Sequence, residues 1–167
     1  MAIRPLRYFG DPVLKSPSEP VTVFDAKLKS LVDDLMETVT LPGRAGLAAP
    51  QIGVGQRAFS YLVEGQHGYV INPEIVELSE KIQDGVEGCL SVPGMNFPTR
   101  RAAFATVRGV DVNNEPVVVS GRGELARCLQ HETDHLDGLL YLDRLDPAQR
   151  KEAFRLARAS DWFWKSR

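Results

Sequence analysis

The chain has 167 residues, of which 43% are hydrophobic and 25% charged, and its formal net charge is -2. That is enough chain for one domain with its own core and no disulfide staple, and the composition excludes collagen-like or low-complexity sequence. No run approaches the ~20 apolar residues of a membrane span, and the charge gives no global pull toward nucleic acid, so neither a membrane nor DNA is an expected partner. Two cysteines, Cys89 and Cys128, with no apolar leader after Met1 read as reduced thiols, and the expected location is cytoplasmic.

Pro5, Pro12, Pro17 and Pro20 break the first segment into an extended arm. From Asp25 to about Thr38 the apolar residues Leu28, Leu31, Val32, Leu35 and Met36 recur at helical spacing, with Asp25 placed to cap the start. The stretch from Leu41 to Gly53 is rich in Gly, Ala and Pro, which lets backbone approach another object closely. Strands are expected at 57–63 and 69–72, flanking a turn over 64–68 in which His67 reads as solvated. Further strands are expected at 74–78, 101–107 and 116–119, with Asn113-Asn114 as a turn. The sum is an α+β fold of mostly antiparallel sheets packed around a central helix, with a C-terminal helix, in a single domain spanning residues 1–167.

The central helix carries His131-Glu132-Thr133-Asp134-His135. Residues four apart share a helix face, so His131 and His135 can present imidazole nitrogens to one divalent cation with Glu132 at its side. The preceding residues 123–130 are mostly good helix formers, and Gly138 supplies a stop. A catalytic site of the zinc type needs a third protein ligand. Cys128 lies on the same helix face, but seven residues put it ~10.5 Å of rise from His135, too far to share one ion with both histidines. It reads as part of the wall beside the metal. Cys89 remains, in the stretch Gly85 to Gly94, where a Gly on either flank of a short apolar run suggests an exposed strand end, and its thiolate would suit Fe(II) or Zn(II). A third histidine at the spacing of some metalloproteases would fall on Tyr141, and Glu152 sits in a basic surface helix.

Gly46-Leu47-Ala48-Ala49-Pro50-Gln51, Glu87-Gly88-Cys89-Leu90-Ser91 and Gln130-His131-Glu132-Thr133-Asp134-His135, in that order, make the chain resemble the bacterial peptide deformylases. One departure is Arg44, at a position where the family's first motif usually has glycine. The resemblance implies an enzyme that removes the formyl group from the N-terminal formylmethionine of newly made polypeptides and releases formate. It implies one divalent metal ion, Fe(2+) first, with Zn(2+), Ni(2+) or Co(2+) fitting the same donors, held by Cys89, His131 and His135. Glu132 would be the proton carrier, and the Gln51 amide and the Leu90 backbone N–H would stabilise the oxyanion. An extended N-formylmethionyl peptide would add as a strand near Gly46 and Glu87, its methionine entering an apolar pocket near Cys128 and Leu129. A metallopeptidase, or a closed structural zinc site made by Cys89, Cys128, His131 and His135, are the competing readings.

The last stretch, Arg144 to Arg167, holds seven positive and three negative residues, a net of +4, which leaves -6 for the rest. Lys151, Arg155 and Arg158 share one helix face, while Ala153, Phe154 and Ala157 can pack inward behind an Asp146-Pro147 start. That pattern fits a solvated face, and the resemblance adds docking on ribosomal RNA.

Overall fold

The computed structural model describes residues 2–165. Helix α1, Ala26–Thr38, starts where Asp25 accepts hydrogen bonds from the Lys27 and Leu28 N–H groups, both at 3.0 Å. Strand β1, Gly46–Ala48, pairs antiparallel with β2, Ala58–Val63, which turns into β3, Gln66–Leu78. The turn is Glu64-Gly65, with φ of 50° and 80°, the left-handed pair that a two-residue hairpin needs. Strands β8, Phe104–Val110, and β9, Pro116–Arg122, complete a five-stranded sheet in the order β1-β2-β3-β8-β9. Between β3 and β8 in sequence lie four further strands: β4, Ile82–Gln83, pairs with β7, Arg101–Ala102, while β5, Val86–Cys89, pairs with β6, Val92–Pro98.

The five-stranded sheet separates two cores because its side chains alternate. Phe59 and Val70 pack on helix α2, Gly123–Leu136, together with Leu125, Ala126, Leu129 and Leu136. Their neighbours Ala58 and Ile71 face α1 with Leu28, Leu31 and Leu35. Every residue of α2 from Leu125 to Leu136 is buried, so this helix is central, as expected. It stops at Gly138 (φ 75°), where a side chain would run into the Lys15 backbone. Helix α3, Pro147–Arg158, is capped by Asp146, which accepts from the Gln149 N–H at 2.9 Å. It buries Ala153 and Ala157 in a third core with Met95, Tyr141 and Phe163, the last from the short helix α4, Asp161–Lys165.

Three expectations are corrected. The strands read at 69–72 and 74–78 are one strand, because the break suggested by Asn72-Pro73 is absorbed by a register shift between Ile71 and Glu74. Asn72, at φ 50°, uses its side chain to hold both the N–H and the C=O of Val21, each at 2.8 Å, and so pins the N-terminal arm. His67 is not in the turn: it pairs with Leu62 inside β3, exposed, with a ring nitrogen 3.1 Å from the Met36 carbonyl. The strand read at 101–107 is two, β7 and β8, belonging to different sheets. Both cysteines are free thiols. Among the described residues no helix is long and apolar enough to cross a membrane.

Candidate metal and active site

His131 and His135 lie on successive turns of α2 with their Nε2 atoms 3.2 Å apart, and Cys89 Sγ is 3.4 Å from His135 Nε2. Cys89 is delivered by the end of β5, where a register shift after Gly88 carries it out of line with β6 and toward the helix. The three donor atoms all lie within 4.8 Å of one another. Tetrahedral bonds of ~2.0 Å to nitrogen and ~2.3 Å to sulfur put donors roughly 3.3–3.6 Å apart, so this set fits one divalent ion. Cys128 is outside the cluster, as its rise along the helix requires.

Each imidazole is prepared for ligation. Glu87 Oε1 stands 2.5 Å from His131 Nδ1, which fixes the proton on that nitrogen and leaves Nε2 to face the cluster. Burial holds His135 well below the ordinary histidine range and so neutral, the form a metal ligand needs. Its Nδ1 is buried without a hydrogen-bond partner among the described residues. Tyr141 stacks on His131 with ring centroids 6.3 Å apart and donates its O–H to the Met95 carbonyl at 3.1 Å.

Glu132 projects beside this cluster from the same helix and is 3% exposed. Its Oε2 has no hydrogen-bond partner among the described residues, an unusual state for a buried carboxylate oxygen. Burial pushes its pKa up to about 7, with His131 and Arg101 opposing and Glu87 reinforcing the rise. Gly46 packs directly on its carboxyl group: a Cβ there would overlap Glu132 Oε1 and come within 2.7 Å of Cδ. The small-residue run is therefore a close backbone approach to a side chain of the site.

Gln51 is oriented by its own turn. Its Oε1 accepts the Ala48 N–H at 2.9 Å, which directs Nε2 toward Ser91 Oγ at 3.2 Å and Cys89 Sγ at 3.7 Å. Leu90 sits in the connection between β5 and β6 and lines the same cleft. That cleft, of about 430 Å³, opens between β1 and the β5/β6 hairpin. Among the described residues, strands β1 and β5 each pair on one side only, which leaves two strand edges along it. The Glu87 side chain itself is buried under the hairpin. Cys128 lines the cleft as expected, but Leu129 does not: one residue is a 100° turn of the helix, and Leu129 packs into the sheet-facing core.

The sequence reading missed the ionic support beneath the ligands. Arg101 donates to Glu87 at 2.6 and 2.9 Å and to Asp134 at 2.7 Å. Arg127 donates to Glu87 at 2.9 Å and to the Thr99 carbonyl at 2.8 Å. The Arg101 guanidinium and the His131 contact outweigh the burial that would otherwise raise the Glu87 pKa, and hold it well below the usual carboxylate range. No local sequence signal marks Arg127 and Asp134, since the same helix also carries Glu124, Gln130, Glu132 and Thr133.

Two imidazoles and a thiol within coordination reach, a buried carboxyl beside them and an open cleft lined by strand edges are the parts of a metal-dependent hydrolase acting on extended peptides. The polypeptide deformylase family model matches residues 3–151. A peptide deformylase of Acidothermus cellulolyticus is 55% identical over 162 residues, covering 97% of this chain and 89% of the relative. Peptide deformylase 1 of Corynebacterium glutamicum is 48% identical over 169 residues, covering 99% of this chain and 100% of the relative. The crystal structure of peptide deformylase from Thermus thermophilus superposes with a TM-score of 0.90 at 37% identity, covering 99% of this chain and 100% of that one. This chain belongs to the peptide deformylase family, hydrolases that remove the N-formyl group from nascent peptides.

Proposed function

We propose that residues 1–167 act as one catalytic domain in which Cys89, His131 and His135 hold a divalent metal ion and Glu132 moves the proton during deformylation. The observation that carries this reading is the unpartnered, buried oxygen of Glu132, a residue that lines the cleft beside the donor cluster. Fe(II) and Zn(II) both suit a mixed sulfur and nitrogen set; we take Fe(II) as the working ion, with Zn(II), Ni(II) and Co(II) as alternatives. Such an ion would polarise the formyl carbonyl and lower the pKa of a water from ~15.7 toward ~7.

Glu132 accepts the proton of the attacking water and returns it to the leaving amine, so that formate and a free N-terminus result. A carboxyl with a pKa near neutrality can serve in both directions. Gln51 Nε2 and the Leu90 backbone N–H donate to the oxyanion that forms on the formyl carbon. The Gln51 amide needs no reorientation, because Ala48 already holds its oxygen. Gly46 leaves room for the Glu132 carboxyl and offers the β1 edge to the formylmethionyl peptide, which lies between β1 and β5 as an added strand. Cys128 walls the part of the cleft that receives the methionine side chain.

The fuller reading includes a cytoplasmic protein that meets its substrate at the ribosome. Lys151, Arg155 and Arg158 are exposed on α3 opposite the buried Ala153 and Ala157, which supports a basic outer face. Glu152 pairs with Arg155 at 2.6 and 2.8 Å and reduces that face's net charge, while Arg167 lies outside the described residues. Replacing Lys151, Arg155 and Arg158 by Glu is expected to abolish salt-sensitive co-sedimentation with ribosomes without changing turnover of a short peptide. Unaltered co-sedimentation removes the docking element. The catalytic reading is tested by formate release from formyl-Met-Ala-Ser before metal removal, after it and after reloading, against cleavage of an unformylated peptide. Formate release that follows the metal, with no peptide-bond cleavage, is expected; internal cleavage would instead favour a metallopeptidase.

A further inference from the structure

A chain of charges runs from the surface to the inner face of His131. Arg144, in the 3-10 turn Tyr141–Arg144, donates through Nη2 to Asp134 Oδ1 at 2.7 Å and through Nε to Oδ2 at 3.1 Å. Asp134 Oδ2 also accepts from Arg101 Nη1 at 2.7 Å, and Arg101 grips Glu87 with its other two nitrogens. Glu87 in turn contacts His131 Nδ1. Asp134, Arg101 and Glu87 side chains are 7%, 4% and 3% exposed, whereas Arg144 is 49% exposed. Arg144 therefore lies outside the three sequence motifs and at the wet end of a dry relay.

Arg101 is shared between two carboxylates, and this makes the outer end matter. Among the described residues, Asp134 Oδ1 accepts a side-chain hydrogen bond only from Arg144. Without Arg144, a buried carboxylate oxygen loses its donor, and the nearest remaining guanidinium is Arg101. Any movement of Arg101 toward Asp134 weakens its two bonds to Glu87, and Glu87 is what orients the His131 ring. Glu87 would not be left alone, since Arg127 also holds its Oε2. The effect is thus on ring orientation rather than on the existence of the cluster.

We propose that Arg144 is a positioning residue for His131, setting metal retention through Asp134, Arg101 and Glu87 without touching the donor cluster. The inference rests on the reading of His131 as a metal ligand. The test loads full-length wild type and the variants R144M, R144K and K15M with Co(II), and follows visible absorption during titration with EDTA. Lys15 pairs with Asp143 of the same 3-10 turn at 2.6 Å but does not join the relay. The metal-free melting temperature of each protein is measured alongside.

R144M is expected to surrender Co(II) at up to about tenfold lower EDTA, with altered ligand-field bands, the low end of the scale for losing a direct partner of a ligating histidine, because Arg144 acts through three intervening side chains. R144K, which restores charge without the planar fork, should fall between R144M and wild type, and K15M should match wild type. If R144M does not fold, an intermediate loss in R144K carries the same conclusion. Wild-type EDTA midpoints in both Arg144 variants overturn the proposal, as does an equal loss in K15M. Failure of wild type to bind Co(II) would instead overturn the ligand reading on which it rests.

Discussion

Gly46→Ala isolates the contact between β1 and the proposed base. The new methyl group would overlap Glu132 Oε1 and lie 2.7 Å from both Cδ and Cγ. Carbon atoms in contact sit ~3.5–4.0 Å apart, so the carboxyl group must move by roughly 1 Å. Because Cγ is involved as well as the tip, rotating the carboxylate alone does not relieve the overlap. The Gly46 backbone lies outside the left-handed region, so alanine itself adds no strain. A displacement of ~1 Å at a reacting group costs about 10²-fold in turnover, and overpacking of this kind costs about 1–3 kcal/mol of stability. Formate release from formyl-Met-Ala-Ser should fall by about that factor while metal content stays at the wild-type level, because the donors of His131, His135 and Cys89 are untouched. Near-normal turnover in a folded, metal-loaded Gly46→Ala protein would refute the placement of Glu132 against this strand.

Gln51→Leu removes the oriented amide while keeping bulk, and should lower kcat by about 10²–10³-fold with the metal retained; a small effect would mean that its donor does not face the oxyanion. Peroxide should oxidise Cys89 before Cys128 in the iron-loaded enzyme, since burial, and Glu132 after it, push the Cys128 thiol well up and away from the reactive thiolate. A peptide mass map with Cys128 modified first would count against that order. Metal removal should abolish activity and leave far-UV circular dichroism native, because three packed cores hold the fold; unfolding on chelation would favour a structural zinc site.

The donor cluster was legible in the sequence because its logic is local. Four-residue spacing put His131 and His135 on one face, and the same helix geometry excluded Cys128, whose place on the cleft wall follows from it. Cys89 was legible as a strand end, but the strands around it were not. Gly85, Gly88, Pro93, Gly94 and Pro98 hide the alternation of β5 and β6, and the register shift at Gly88 has no sequence signature. The misplaced Leu129 reflects a pocket assigned to adjacent residues when helical neighbours point 100° apart. The Arg144-to-His131 relay joins residues 87, 101, 131, 134 and 144, and only the fold brings them together. Capping residues were readable from chemistry: Asp25 and Asp146 start their helices as their side chains allow.

The central claim is that Glu132 carries the proton while Cys89, His131 and His135 hold the metal. Glu132→Gln separates the two roles, since it keeps size and burial, loses the titrating oxygen and leaves every donor in place. The decisive measurement is metal stoichiometry and formate release on the same preparation of this variant. The account predicts wild-type metal content with turnover reduced by about 10² or more. Full metal occupancy with near-normal turnover would contradict it.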